Sequence, residues 1–354
     1  MYRKDPKIVP PWGGFDNSSP ALTLPQNSFR VLQNWFINKQ RLQPFPKLTA
    51  FTLPNDTIFA MRSFFDIQSF YHTVLLGVQK AYYFKPGPAY DVINPGAWTP
   101  PTALPYATEV MQNRLFFTNG FDLRYIQGDS NWYPAGDANA GSKYIGKLAS
   151  KLILANVFEN AFQSPARIKY SATNNPLEWD NALDYTAGEF DIADVEDEIT
   201  GWATINNVGF AFRKFGITSI TPTGVGASPF YVENFSLGQA GIGCYYNHTL
   251  AVYGTFCAFV AVNEIYYFDG GAPQPIGGKS KKTILAELDS ASSTPFATFL
   301  GTLNKGVDYV AYIIAIPQNG DTTTSLWWYA FDSQTWFNVQ LTGVVRSLAN
   351  LVVA

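Results

Sequence analysis

Trp202-Ala-Thr-Ile-Asn-Asn-Val-Gly-Phe-Ala-Phe212 carries the pattern that decides the fold: an apolar run, two polar residues, then a second run rich in aromatics. Aromatic and β-branched side chains suit a pleated, half-buried surface. A two-residue polar break between such runs reads as a hairpin turn. The unit recurs along the chain. Tyr71-His-Thr-Val-Leu-Leu-Gly-Val precedes Ala81-Tyr-Tyr-Phe, and Glu109-Val-Met precedes Arg114-Leu-Phe-Phe-Thr. Leu152-Ile-Leu-Ala precedes Ala166-Arg-Ile-Lys-Tyr, and Ala258-Phe-Val-Ala-Val precedes Ile265-Tyr-Tyr-Phe. Tyr309-Val-Ala-Tyr-Ile-Ile precedes Leu326-Trp-Trp-Tyr-Ala-Phe. Gln79-Lys80, Gln112-Asn113, Asn206-Asn207 and Asn263-Glu264 are the expected two-residue turns.

Self-similar strand pairs at irregular intervals of roughly 35 to 60 residues match the blades of a propeller. One small sheet cannot bury both faces alone, whereas sheets stacked radially cover one another. The expected fold is all-β: a β-propeller of about six blades over residues 56–354, with an extended N-terminal arm over 1–55. The strands near Val344 to Val353 are expected to close the ring with the first. Helical periodicity is confined to Lys281 to Leu288, where Ile284, Leu285 and Leu288 share a face. In the arm, prolines at 6, 10, 11, 20, 25, 44 and 46 interrupt regular structure repeatedly. Trp12, Phe15, Trp35 and Phe36 are its candidate aromatic anchors, on this core or on a neighbouring subunit, and Arg30 to Phe36 could form a short strand.

Composition narrows the function. Hydrophobic residues make up 47% of the 354, aromatics 16% and charged residues only 14%, against about 25% charged in average soluble proteins. Such a balance suits strands, and also surfaces covered by partners, where aromatics are enriched and Lys and Glu depleted. The formal net charge of −3 leaves no basic field for gripping phosphates. That argues against sequence-reading of DNA, though not against a surface past which DNA slides. Cys244 and Cys257 are too few for a disulfide framework and read as small buried hydrophobes. No stretch reaches the roughly 18 apolar residues of a membrane span, and the opening residues do not read as a signal peptide. The Asn-x-Ser/Thr triplets at Asn17, Asn55, Asn234 and Asn247 are therefore expected to be chance.

No residue set announces chemistry. His72 and His248 are the only histidines and neither has metal-ligand spacing. There is no Gly-x-Ser-x-Gly elbow. Gly238-Gln-Ala-Gly-Ile-Gly-Cys lacks the order of a dinucleotide fingerprint. Pro273-Gln-Pro-Ile-Gly-Gly-Lys-Ser280 ends like a phosphate-binding loop, but Pro273 cannot donate the N–H that such a loop needs. No cofactor, metal site or catalysis is expected. The densest charge run is Glu189 to Glu198, with Phe190, Ile192 and Val195 expected inward and Asp191, Asp194, Glu196, Asp197 and Glu198 outward or in loops. Crowded exposed acids are usually a solvated face.

Pro165-Ala-Arg-Ile-Lys-Tyr-Ser-Ala-Thr-Asn-Asn-Pro-Leu-Glu-Trp179, then Ala187-Gly-Glu-Phe-Asp-Ile192 and Ile199-Thr-Gly-Trp202, resembles a segment of the tail-hub and nozzle proteins of short-tailed bacteriophages, the packaged-DNA stabilisation proteins among them. Pro165, Arg167, Tyr170, Ser171, Pro176, Trp179 and Gly188 carry the likeness. Gly13-Gly14, Leu22 to Pro25, Gln33-Asn34 and Arg41-Leu-Gln-Pro-Phe-Pro are similar to that family's opening, as is Tyr267-Phe-Asp-Gly270 followed by Pro275-Ile-Gly277 to a later part. Family members often carry large insertions, for which this chain has little room. The resemblance implies a virion structural protein that assembles with itself into a ring, often sixfold, beneath the portal and its adaptor. Such a ring extends the DNA channel, retains packaged double-stranded DNA and conducts it without sequence recognition. In that setting the acidic run Asp191, Asp194, Glu196, Asp197 and Glu198 is expected to face the lumen or the adaptor.

The alternatives are a glycan-binding propeller, as a receptor-binding tail component or lectin, and a propeller glycosidase. A lectin should repeat its pocket residues blade by blade, yet Trp98, Trp132, Trp179, Trp202 and Trp336 sit in non-equivalent contexts. A glycosidase should bring an acid pair together from different blades.

Overall fold

The structure is a computed structural model that describes residues 56–78, 80–84, 90–93, 105–136, 140–192, 197–226, 228–234, 241–301, 310–343 and 345, together with four short strands nearer the N-terminus. Its core is six four-stranded antiparallel sheets, each built from consecutive strands. Blade 1 comprises Ile58–Phe65, Tyr71–Gly77, Ala81–Phe84 and Tyr90–Ile93. Blade 2 comprises Ala107–Met111, Arg114–Thr118, Leu123–Ile126 and Trp132–Pro134. Blade 3 comprises Ala140–Leu148, Lys151–Glu159, Phe162–Tyr170 and Gly188–Asp191. Blade 4 comprises Ile199–Ile205, Val208–Arg213, Ile217–Val225 and Ser228–Asn234. Blade 5 comprises Ala251–Tyr253, Phe256–Val260, Ile265–Phe268 and Gln274–Pro275. Blade 6 comprises Phe296–Gly301, Val310–Gln318, Thr323–Ala330 and Thr335–Thr342. The expected six-bladed, all-β architecture is what the chain forms.

Successive blades share apolar seams, which is why the middle strands read as almost continuous hydrophobic runs. Phe59, Val74 and Leu76 of blade 1 meet Leu115, Phe117 and Trp132 of blade 2. Ile153 and Ile168 of blade 3 meet Trp202, Ala211 and Ile220 of blade 4. Phe210 and Phe212 pack on Phe259 and Phe268 of blade 5, with ring centroids as close as 4.9 Å. Both cysteines lie buried and free in that seam. Alternate residues of the second strand of blade 6 serve two clusters: Tyr312, Ile314 and Ile316 face blade 5, while Ala311, Ile313 and Ala315 form a cluster with their own blade.

The turns divide into two kinds. Gln112-Asn113 and Asn206-Asn207 have φ of 49° and 60°, and of 49° and 62°, the mirror-image geometry that matches strand twist. Ala149-Ser150 and Asn160-Ala161 turn the same way without a sequence signal that singled them out. At the other two expected turns, Gln79 lies outside the described residues, and the turn expected at Asn263-Glu264 is offset by one residue, with Val262 and Asn263 between the bonded pair Ala261 and Glu264. Gly77 N–H donates to the Lys80 carbonyl at 2.8 Å and Ala261 N–H to that of Glu264 at 2.9 Å. The paired residues are Leu76 with Ala81 and Val260 with Ile265.

The helical periodicity near 281 becomes the helix Lys281–Asp289, in the crossing from blade 5 to blade 6, with Ile284 and Leu288 buried against the seam. Of the stretch Val344 to Val353, expected to close the ring, all but Val345 lies outside the described residues, and blade 6 has its four strands without it. Among the arm strands, Trp35–Asn38 pairs antiparallel with Arg41–Pro44, and Gly14–Phe15 runs parallel to Ser28–Phe29. The backbones of Gly14–Phe15 and Trp35–Asn38 pass beside Thr335–Thr342, the last strand of blade 6.

Candidate functional site

The first strands of all six blades surround one axial chamber of about 440 Å³. An innermost strand is paired on one side only, so its other edge turns backbone N–H and C=O groups toward the axis. Arg62 of blade 1, Tyr144 of blade 3 and Trp202 of blade 4 contribute to the wall, as do His248, Val252 and Tyr253 at blade 5. No Asp, Glu, Asn or Gln lines it among the described residues.

His248 stands just ahead of the inner strand of blade 5 in a left-handed backbone conformation, with φ of 65°. Its carbonyl accepts the N–H of Ala297 at 2.9 Å, tying blade 5 to blade 6. The ring lies 5.8 Å from that of Tyr144 and 6.0 Å from that of Phe296. Burial among these rings, with the Lys143 ammonium nearby, pushes its pKa down to about 4, so the imidazole is neutral at pH 7. Lys143 is itself held by Glu198 at 3.2 Å.

The residues that carry the phage-tail resemblance gather in blade 3. Pro165 falls where the ladder to the preceding strand loses register around Asn156, a place where a missing N–H costs little. The Arg167 guanidinium bonds both oxygens of its cross-strand partner Asp191, at 2.9 and 3.2 Å, and reaches Glu189 at 3.0 Å. That guanidinium holds the Asp191 carboxyl below its usual pKa, against partial burial. Tyr170 lies opposite Gly188, where a Cβ would sit 2.7 Å from the phenol oxygen, so glycine lets the two strands close. Ser171 Oγ accepts the N–H of Leu152 at 2.9 Å. Pro176 is buried in the turn after Asn174, whose φ is 57°. Trp179 then folds back to cover Gly136 and joins Met111, Phe116 and Leu123 of blade 2.

Beneath this excursion lies Lys151, which sequence reading missed. It is only 3% exposed. Its ammonium donates to the carbonyls of Ser171 and Thr186, the two ends of the loop, and sits 5.4 Å from the centre of the Tyr170 ring. Burial pushes its pKa down. Nothing in the run Lys151 to Leu154 marks such a role, because the carbonyls it serves lie up to 35 residues away.

The acidic run is not a single face. Asp191 ends the outermost strand of blade 3 and is exposed, Ile192 is buried, and Asp194 and Glu196 lie outside the described residues. Asp197 accepts the N–H of Phe215 at 2.8 Å. Glu198 enters the inner strand of blade 4 and holds both Lys143 and Lys214, at 3.2 and 2.8 Å. Against burial, these two ammonium groups keep its carboxyl below the usual value. Of the arm anchors, Trp12 lies outside the described residues, and Trp35 and Phe36 belong to the strand Trp35–Asn38. His72 bonds the buried Asp66 through Nε2 at 2.8 Å. Among the described residues no group of three or more His, Cys, Asp or Glu could hold a metal ion, and no helix is long and apolar enough to cross a membrane.

A second hollow, of about 490 Å³, runs between the outer strands of blades 3 and 4. Its floor is aromatic: Tyr170 meets Phe230 edge-on at 5.1 Å, and Phe190 lies 6.4 Å from Phe230.

No family model matches the chain, and neither does any curated protein. Solved structures do resemble it. The extracellular domain of a hybrid two-component system from B. thetaiotaomicron has a TM-score of 0.52 at 8% identity, over 85% of this chain and 36% of that one. Virginiamycin B lyase from Staphylococcus aureus has a TM-score of 0.48 at 8% identity, over 83% of this chain and 87% of that one. The Aleuria aurantia lectin, in complex with a fucosylated GlcNAc, has a TM-score of 0.40 at 12% identity, over 84% and 99%. At such identities likeness is of fold alone, and function belongs to sites rather than folds. The chain is a six-bladed β-propeller.

Proposed function

We propose that this chain is a virion structural protein, a subunit of the tail hub or nozzle ring of a short-tailed bacteriophage. The ring extends the DNA channel below the portal and adaptor, retains packaged DNA and conducts it during ejection. The observation that carries this reading beyond the sequence resemblance is a set of exposed apolar side chains at both ends of blades 3 and 4. Phe162 and Phe215 stand at the turns after the second strands, and Leu183 and Tyr185 in the loop after the third strand of blade 3, at the opposite end. Phe162 is 75% exposed, Leu183 76%, Tyr185 68% and Phe215 52%. Exposed apolar groups mark interaction surfaces, and a head-to-tail contact between identical copies, which joins different faces, closes into a ring when its rotation allows. The conduit in this reading lies between copies. A chamber of about 440 Å³ on the blade axis is too small for a duplex whose major groove alone is about 12 Å wide.

Electron microscopy of the purified full chain tests the reading. The expected particle is a closed, sixfold ring with an axial opening wide enough for a duplex. A second arm replaces Phe162, Leu183 and Phe215 by serine and should shift the population from rings to monomers. A chain that stays monomeric across concentrations, or one that turns over glycans, overturns the proposal. The aromatic floor of the groove between blades 3 and 4 favours a second reading as a glycan-binding tail component. Glycan-array binding by a dispersed monomer, lost on Phe230→Ala, is the result that reading requires.

A further inference from the structure

We infer that the axial chamber is a binding site for a small organic anion, a carboxylate or phosphate carried on a flat apolar body, with Arg62 as the group that receives its head. The inference does not depend on the ring assembly.

Arg62 lies in the middle of the inner strand of blade 1, is exposed and lines the chamber. Elsewhere the guanidinium and ammonium groups near the axis are matched. Lys143 is held by Glu198, and Lys147 by Glu109 at 3.5 Å. Arg62 has no such carboxylate among the described residues. A guanidinium is charged at every physiological pH and offers five N–H donors in a fork that fits carboxylate and phosphate oxygens in pairs. His248 cannot oppose or reinforce that charge, because it is held neutral; it can add one N–H donor. The remaining donors are N–H groups on the free edges of the inner strands, that of Ala297 apart, which the His248 carbonyl accepts. The chamber therefore presents one fixed positive charge, many donors and no carboxylate.

The rest of the wall selects the body of the ligand. Met61, Leu250, Val252 and Tyr253 give it apolar surface, and Tyr253 sits 5.6 Å from Phe299 behind it. Recognition of a neutral sugar would call for carboxylate or amide side chains spaced to match its hydroxyls, and the wall has none. A cation would meet Arg62 with nothing to balance it. The volume of about 440 Å³ falls within the range of about 300–1,000 Å³ usual for small-molecule sites. Six inner strands, packed by five seams of large side chains, keep the hollow from collapsing when empty.

Isothermal titration of the full chain with phenyl phosphate, benzoate, benzyl alcohol and inorganic phosphate tests this. One of the two aromatic anions should bind saturably, with a dissociation constant at or below about 1 mM; which of them binds tells phosphate from carboxylate. Benzyl alcohol should bind at least about tenfold more weakly. Arg62→Gln should reduce anion affinity by about tenfold or more, leave benzyl alcohol unchanged and leave the melting temperature near that of the parent, since the side chain has no partner to lose among the described residues. Lys282→Gln, an exposed position on the helix, should change nothing. Equal affinity for anion and alcohol, an Arg62→Gln variant that binds as the parent does, or no saturable anion binding overturns the inference. Inorganic phosphate binding as tightly as phenyl phosphate overturns the part that assigns an organic body. Rings seen by microscopy alongside any of these failures leave the assembly reading standing, and anion binding by a monomer does the reverse.

Discussion

At the scale of single residues, the half-buried His248 and the buried Lys151 show how position overrides chemical type. His248 and Lys151 both have their pKa pushed down by burial. For His248 the sign of the pH effect follows directly. The unfolded chain takes up a proton near pH 6.5 and the folded one near pH 4, so between those values the unfolded state binds more protons and stability rises with pH. Acidification from pH 6.5 to 4 should cost up to about 3 kcal/mol through this residue. His248→Asn keeps a side chain that tolerates the left-handed backbone while removing the titration. Urea unfolding at several pH values should show a shallower fall for the variant across that window; parallel curves for the two proteins would refute the assignment. Lys151 works differently, as a strut whose donors pin both ends of the 171–187 excursion and so keep Trp179 on Gly136.

At the scale of elements, the turns separate what local sequence specifies from what it does not. Asn206 and Asn207 both occupy left-handed backbone, which costs most residues about 1–2 kcal/mol each and costs asparagine less. Asn207→Val should therefore lower stability by about 1–2 kcal/mol, and Asn207→Gly should be neutral within a few tenths. Asn263→Val, at an exposed position without positive φ, should change little despite the similar local sequence. Thermal melts of the three variants check the order, and a loss at 263 equal to that at 207 would contradict the turn assignments. The blade 3 excursion makes the complementary point. Its Asn-Pro-x-x-Trp stretch is conspicuous in the sequence, but its work is tertiary: it seals the seam between blades 2 and 3 with Trp179.

At the scale of the whole molecule, the ring stands because each blade closes its neighbour's face, and close approach at the seams is strict. A Cβ on Gly146 would lie 2.2 Å from Cδ1 of Trp202, the tryptophan that seals blade 3 to blade 4. Gly146→Ala should push that indole from its place and cost about 1–3 kcal/mol. The melting temperature and the tryptophan emission should both shift; an unchanged melt would mean that the seam has slack the structure does not show.

How much of this was legible beforehand depends on distance along the chain. Strand pairs joined by short turns were readable because both partners and the turn lie within about a dozen residues, where periodicity and turn chemistry act. The six-bladed ring followed from repetition of that unit. The short helix at 281–289 was readable from its spacing, although its place under blade 6 was not. The division of the acidic run between an outer strand and an inner one was hidden, because the blade crossing occurs inside it. Arg62, His248 and the chamber could not be found that way at all. Their neighbours come from first strands spread from residue 58 to residue 301, and no local pattern records which of them share an axis. By itself, then, the sequence determined the all-β, six-unit repeat, through interactions that close within one hairpin. Only the tertiary structure decided which edges meet around the axis, which lysines are buried and which arginine is left without a carboxylate partner among the described residues, since burial and pairing are set by ring closure.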